Sequence, residues 1–260
     1  MSENEGFFGK MSFLDHLDEL RRRLIYIIAA VLIAFLICWA FSPQIYAFIA
    51  SPLTQFLPED DNKLAYTSLT DPFFLYMKAA FIAALFLASP FILLQIWFFI
   101  APALYRREKR YVFPFVFFSS VFFVGGGAFG FYAVFPAACK FFLSVGENFK
   151  QVITIREYFS LFSRIILGVG LVFEMPVLTF FLARIGLVTA SFLWKNTKYA
   201  ILLIFIIAAA ITPTPDIVTQ AFVAVPMIGL YGISILVALL FGRKKDKEKE
   251  EEKLEEDRNL

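Results

Sequence analysis

A single carboxylate, Glu174, lies near the middle of an otherwise apolar stretch from Tyr158 to Ala183, just before Met175-Pro176. An ionisable group that deep in a membrane costs at least about 2.5 kcal/mol and is rarely left facing lipid. It therefore marks a polar pocket, a proton path or a partner-docking surface. Arg164 could neutralise it, but ten residues at about 100° each put the two on different helix faces. Two more carboxylates stand among bases. Glu19 sits in His16-Leu17-Asp18-Glu19-Leu20-Arg21-Arg22-Arg23-Leu24, and Glu108 closes the run from Phe99 through Arg106-Arg107. Such carboxylates either pair with their basic neighbours on a solvated surface or accept the paired hydrogen bonds of an incoming guanidinium. Thr219 and Gln220 open a further apolar run, behind the turn Thr212-Pro213-Thr214-Pro215-Asp216. Asp216 either caps that run or takes part in function.

Classical catalysis finds little purchase. There is one histidine, His16, and no Cys-x-x-Cys, Gly-x-Ser-x-Gly or Walker sequence. Nor are two carboxylates paired at one membrane depth. No ligand set has metal spacing, and no cofactor, ATP or nucleic-acid site is expected. Cys38 and Cys139 make no motif and read as small buried hydrophobes. Gly125, Gly126, Gly127 and Gly130 suit close helix packing, not a phosphate loop.

The elements that must position these residues are membrane helices. Hydrophobic residues make up 60% of the chain and aromatics 18%, and mean hydropathy is +0.73. Six apolar stretches are long enough to consider as spans, near residues 24–41, 73–99, 112–134, 158–183, 199–212 and 217–241. The expected fold is an all-α polytopic membrane protein, with residues 1–241 as one six-span domain and 242–260 as a charged cytoplasmic tail. The alternation of a β-barrel is absent. Of 24 Lys and Arg, 18 cluster at Lys10–Arg23, Arg106–Arg110, Arg184–Lys198 and after Gly242. That asymmetry predicts both termini on the cytoplasmic side. The first apolar run reads as a retained helix, because Pro43 stands where a signal would be cleaved.

Ser12 with Asp15 is a plausible helix cap, and Leu14, Leu17, Leu20 and Leu24 make an amphipathic lead-in to span one. A short interfacial helix over Gln44–Ala50 is expected in the first outer segment, Ser42–Pro72. The second outer segment, Phe135–Glu157, should join it as a cap over the bundle. Pro90, Pro176 and Pro226 inside spans predict a kinked, concave scaffold. Span five reaches only about 21 Å against a hydrocarbon core of about 30 Å, so it should thin the bilayer or shelter behind a partner.

Several motifs recur here in an order that resembles the TatC family, the multispanning receptor subunit of the twin-arginine protein translocase. They are His16-Leu17-x-Glu19-Leu20-Arg21, Ser89-Pro90 leading to Phe99–Glu108, Phe173-Glu174-Met175-Pro176, and Thr212-Pro213 through Asp216 to Gln220. The resemblance runs from His16 to about Leu240. One departure is clear: similar proteins often carry an acid after the aromatic of span six, whereas Tyr231 is followed here by Gly232.

The resemblance implies a bacterial inner-membrane receptor that binds the twin-arginine signal peptides of folded proteins. Glu19 and Glu108 would accept the two guanidinium groups, with Arg21, Leu20, Pro52 and Phe99 around them. Glu174, with Gln220 and Thr219, would face single-span TatA/TatB-type partners, and further copies of the chain would complete the assembly. Export would draw on the proton-motive force. Two rival classes remain. A proton-coupled solute transporter would use Glu174 as coupling acid, although no inverted repeat is visible. A structural scaffold would show no arginine preference.

Overall fold

A computed structural model describes residues 13–54, 64–100, 112–146, 148–149, 152–212 and 216–242. Among these there is no strand, only an isolated parallel bridge between Ala65 and Thr154. The helices are α1 (Phe13–Ala40), α2 (Ser42–Thr54), α3 (Asp71–Ile100), α4 (Val112–Phe129), α5 (Phe135–Val145), α6 (Ile155–Phe173), α7 (Met175–Arg184), α8 (Ala190–Lys195), α9 (Thr197–Ile211) and α10 (Ile217–Phe241). Five helical stretches are long and apolar enough to cross a membrane: His16–Ala40, Asp71–Phe99, Phe113–Val145, Ile155–Arg184 and Ile217–Phe241. A sixth, α9, is apolar but only 15 residues long, as expected for the short fifth span.

α1 and α3 run antiparallel. His16 stacks on Phe99 at one end (ring centroids 4.5 Å apart), and Trp39 meets Phe73 edge-on at the other. Ala34 and Cys38 face Ala80, Ala84 and Ala88 along the seam, where small side chains let the two backbones approach. α4 packs on α6 in the same way. Gly126 lies against Phe173 and Gly170, and Gly130 against Ile166 and Val169. The larger core, which includes Phe135, Phe162, Ile165, Ile204 and Met227, joins the second half of the chain to α2 and α3.

Two expectations change. The third span does not stop near residue 134. A π-helical turn over Gly130–Val134, with Phe135 N–H bonded to Gly130 O, carries the helix on to Val145. Pro136 falls in the first turn of α5, directly after the π-helical turn, where a missing N–H is tolerated. The short helix expected over Gln44–Ala50 is longer, spanning Ser42–Thr54, and packs one face into the core. Ile49 and Leu53 are buried in the core, Phe48 stacks on Phe131, and Tyr158 Oη donates to Ile49 O at 2.6 Å. The Ser12 cap lies outside the described residues. Both cysteines are free and buried.

Candidate functional site

At the end of the bundle where α1 begins, Glu19 is held by a relay. Arg23 donates from Nε and Nη2 to a single oxygen, Glu19 Oε1, at 2.9 and 2.6 Å. Its Nη1 donates to Gln95 Oε1 on α3 at 2.9 Å, and its guanidinium lies 5.1 Å from the Phe98 ring centroid. An i,i+4 ion pair alone would contribute only about 0.3–0.5 kcal/mol. Gln95 is 5% exposed, so the anchor that fixes Arg23 is buried in the α1–α3 seam. Glu19 and Arg23 side chains remain 22% and 24% exposed. Among the described residues nothing bonds to Glu19 Oε2. The carboxylate is thus oriented through one oxygen and open at the other.

The other residues expected beside Glu19 fall variously. Arg21 is exposed and 3.8 Å from Asp18, Leu20 is exposed, and Phe99 stacks on His16. Glu108 lies outside the described residues. Pro52 is not brought to Glu19: it is buried in α2, beyond the far end of α1.

Glu174 stands at the junction of α6 and α7. Pro176 has no N–H for the carbonyl four residues back, so the helix is interrupted there. Glu174 N–H bonds to Leu171 O at 3.1 Å, and Leu178 N–H resumes the ladder on Glu174 O at 2.8 Å. The side chain is 6% exposed and accepts a hydrogen bond at Oε2 from Ser119 Oγ of α4. Its Oε1 is buried with no partner among the described residues. Arg164 is exposed and makes no ion pair with it. A buried acceptor left unsatisfied is costly.

Asp216 caps α10, accepting from Thr219 N–H at Oδ1 (2.8 Å) and from Thr219 Oγ1 at Oδ2. Thr219 is 1% exposed, and Gln220 Nε2 donates to Phe205 O of α9 at 2.6 Å. Gln220 thus ties α10 to α9. Pro90 sits inside α3 beside the buried Ser89, whose hydroxyl bonds to Phe86 O. No group of metal-binding side chains occurs among the described residues.

Sequence reasoning passed over Gln95 and Ser119. Gln95 carried a signal, since it is the only amide in the apolar run from Pro90 to Ile100. Ser119 carried little, because a serine in a membrane helix can bond to its own backbone, as Ser120 does to Val116 O.

Comparison with known proteins gives a consistent set. Residues 15–226 match the family described as Sec-independent protein translocase protein (TatC). The chain is similar to Sec-independent protein translocase protein TatC of Koribacter versatilis, with 51% identity over 243 residues, 93% of this chain and 90% of the relative. It is similar also to TatC of Desulforapulum autotrophicum (42%, covering 93% and 89%) and TatCy of Bacillus subtilis (37%, covering 92% and 93%). A crystal structure of the twin-arginine translocase receptor TatC superposes with a TM-score of 0.77 at 35% identity, covering 88% of this chain and all of that one.

Proposed function

The chain belongs to the TatC family and is a multi-pass membrane component of the Sec-independent protein translocase, and from that premise we propose that it is the receptor for twin-arginine signal peptides. The observation that carries this reading is the Gln95–Arg23–Glu19 relay, which presents one bonded and one open carboxylate oxygen. A guanidinium offers five donors in a fixed fork, so an arginine can bond the open oxygen while stacking on neighbouring groups. An ammonium is a point donor and gains less from a fixed geometry. Glu108 supplies the second carboxylate, one for each arginine of the pair. The arginines beside Glu19 repel a peptide bound out of register.

Six spans, counting α9, leave both termini and the Glu19 face in the cytoplasm of a bacterium, with the chain in the inner membrane and α2, α5 and the Ala65–Thr154 bridge as an outer cap. With the arginines fixed, the apolar part of the signal inserts along the kinked, concave bundle. The unpartnered oxygen of Glu174 receives a donor from a single-span TatA/TatB-type partner. Such intramembrane hydrogen bonds contribute about 0.6–2 kcal/mol, enough to set register. Further copies of the chain complete the assembly, and the proton-motive force drives export of the folded cargo.

The test is binding of a labelled signal peptide to the purified protein, comparing Arg-Arg with Lys-Lys in one sequence. The expected result is an arginine preference that Glu19→Gln and Glu108→Gln each remove with the protein still folded. Equal binding of both peptides would overturn the receptor reading.

A further inference from the structure

The opposite end of the bundle carries a feature that signal recognition does not use. A groove of about 550 Å³ opens between the first turns of α3 and α6, lined by Asp71, Phe74, Met77, Lys78, Arg156 and Phe159. Asp71 is 6% exposed and already saturated: Thr67 and Ser68 donate to Oδ2, and Arg156 Nη2 to Oδ1 at 2.9 Å. Arg156 keeps 69% of its side chain exposed. Lys78 is exposed, with no ion pair or hydrogen bond among the described residues. Two cations from different helices therefore face one neutralised carboxylate, against a wall of phenylalanine and methionine.

Depth identifies what fits. α3 has 30 residues and is about 45 Å long, some 15 Å more than a hydrocarbon core of about 30 Å. Shared between the two ends, the excess sets the first five residues or so among the headgroups. Lys78 follows Asp71 by seven residues, about 10 Å along the axis. It thus lies at the hydrocarbon boundary, and its stem can carry the ammonium up to headgroup level. The aromatic pairs Trp39–Phe73 and Tyr46–Tyr76 mark the same level, as expected of an interfacial belt.

We infer that this groove binds an anionic phospholipid, its phosphate between Lys78 and Arg156 and an acyl chain along Phe74, Met77 and Phe159. A cation facing anionic lipid at this level strengthens binding about five-fold. The site is independent of Glu19, so its failure would leave the receptor reading untouched.

The full-length protein, in a neutral detergent, is offered phosphatidylglycerol and phosphatidylcholine in equal amounts, and bound lipid is counted by native mass spectrometry. Wild type should retain phosphatidylglycerol preferentially. Lys78→Gln should lower that retention about five-fold, and Lys78→Arg should keep it. Lys140→Gln, which removes an exposed cation of α5 outside the groove, should leave it unchanged. Equal retention of the two lipids, or an equal loss in Lys140→Gln, would overturn the proposal. Displacement of the lipid by millimolar inorganic phosphate would likewise overturn it, showing a simple anion site. Thermal unfolding of each variant checks that the fold is intact.

Discussion

Adjacent glycines of α4 should respond to the same substitution in opposite ways. A Cβ added at Gly126 would lie 2.7 Å from Phe173 Cβ and Cγ and 3.0 Å from Gly170 Cα. Carbon atoms prefer about 3.5–4.0 Å, so α4 and α6 would have to separate by about 1 Å. The atoms met are next to the backbone and cannot swing away. At Gly125 an added Cβ meets nothing within 4 Å. Both substitutions gain the same helix propensity, about 1 kcal/mol for glycine to alanine. The difference between Gly125→Ala and Gly126→Ala therefore isolates the clash, which overpacking studies put at about 1–3 kcal/mol. For a chain of this size that is about 2–12 °C in unfolding midpoint, with Gly126→Ala the lower. Phe173 precedes Glu174, so the same shift should loosen the bond from Ser119 and weaken retention of single-span partners. Thermal unfolding in detergent and co-purification read the two effects. Equal midpoints for the two variants would refute the close α4–α6 packing on which the position of Glu174 depends.

Ser119→Ala removes the only donor to Glu174 among the described residues and should destabilise the protein by about 1–3 kcal/mol in urea titration. Among the described residues, Gln95→Leu leaves Arg23 held only by Glu19 and Phe98. Arg-Arg peptide binding should fall several-fold with the unfolding midpoint nearly kept, and unchanged affinity would separate the relay from recognition. Asp216→Ala removes the cap of α10 and should cost about 0.5–2 kcal/mol, and a larger loss of export than of stability would give Asp216 a functional part.

Hydropathy was enough to read the helical class, because membrane burial demands long apolar runs, and five of the six expected runs form helices long enough to cross. It was not enough to read how the runs are subdivided. Pro136 and Pro176 look alike in sequence, yet one starts a helical segment after a π-helical turn and the other follows a break. Glu174 stood out as a single residue, since one acid in an apolar span needs either a partner or a role. Its partner did not, because Ser119 is 55 residues away and only packing brings the two together. Glu19 was legible by motif, whereas its fixed orientation was not. That orientation depends on Gln95, 72 residues from Arg23.

The contacts at the Asp71 end of the bundle, the proposed outer cap, also impose a timetable on synthesis. The α1–α3 seam can form once Ile100 has left the ribosome, since both partners are then present. The cap must wait much longer. Arg156 reaches Asp71 across 85 residues, and Tyr158 reaches Ile49 across 109. Until α6 emerges, Asp71 is held only by its neighbours Thr67 and Ser68. Contacts so distant in sequence form slowly, after local ones are made. The nascent chain therefore waits as an open hairpin, and delivery of α6 is the event that commits the first half to its final place.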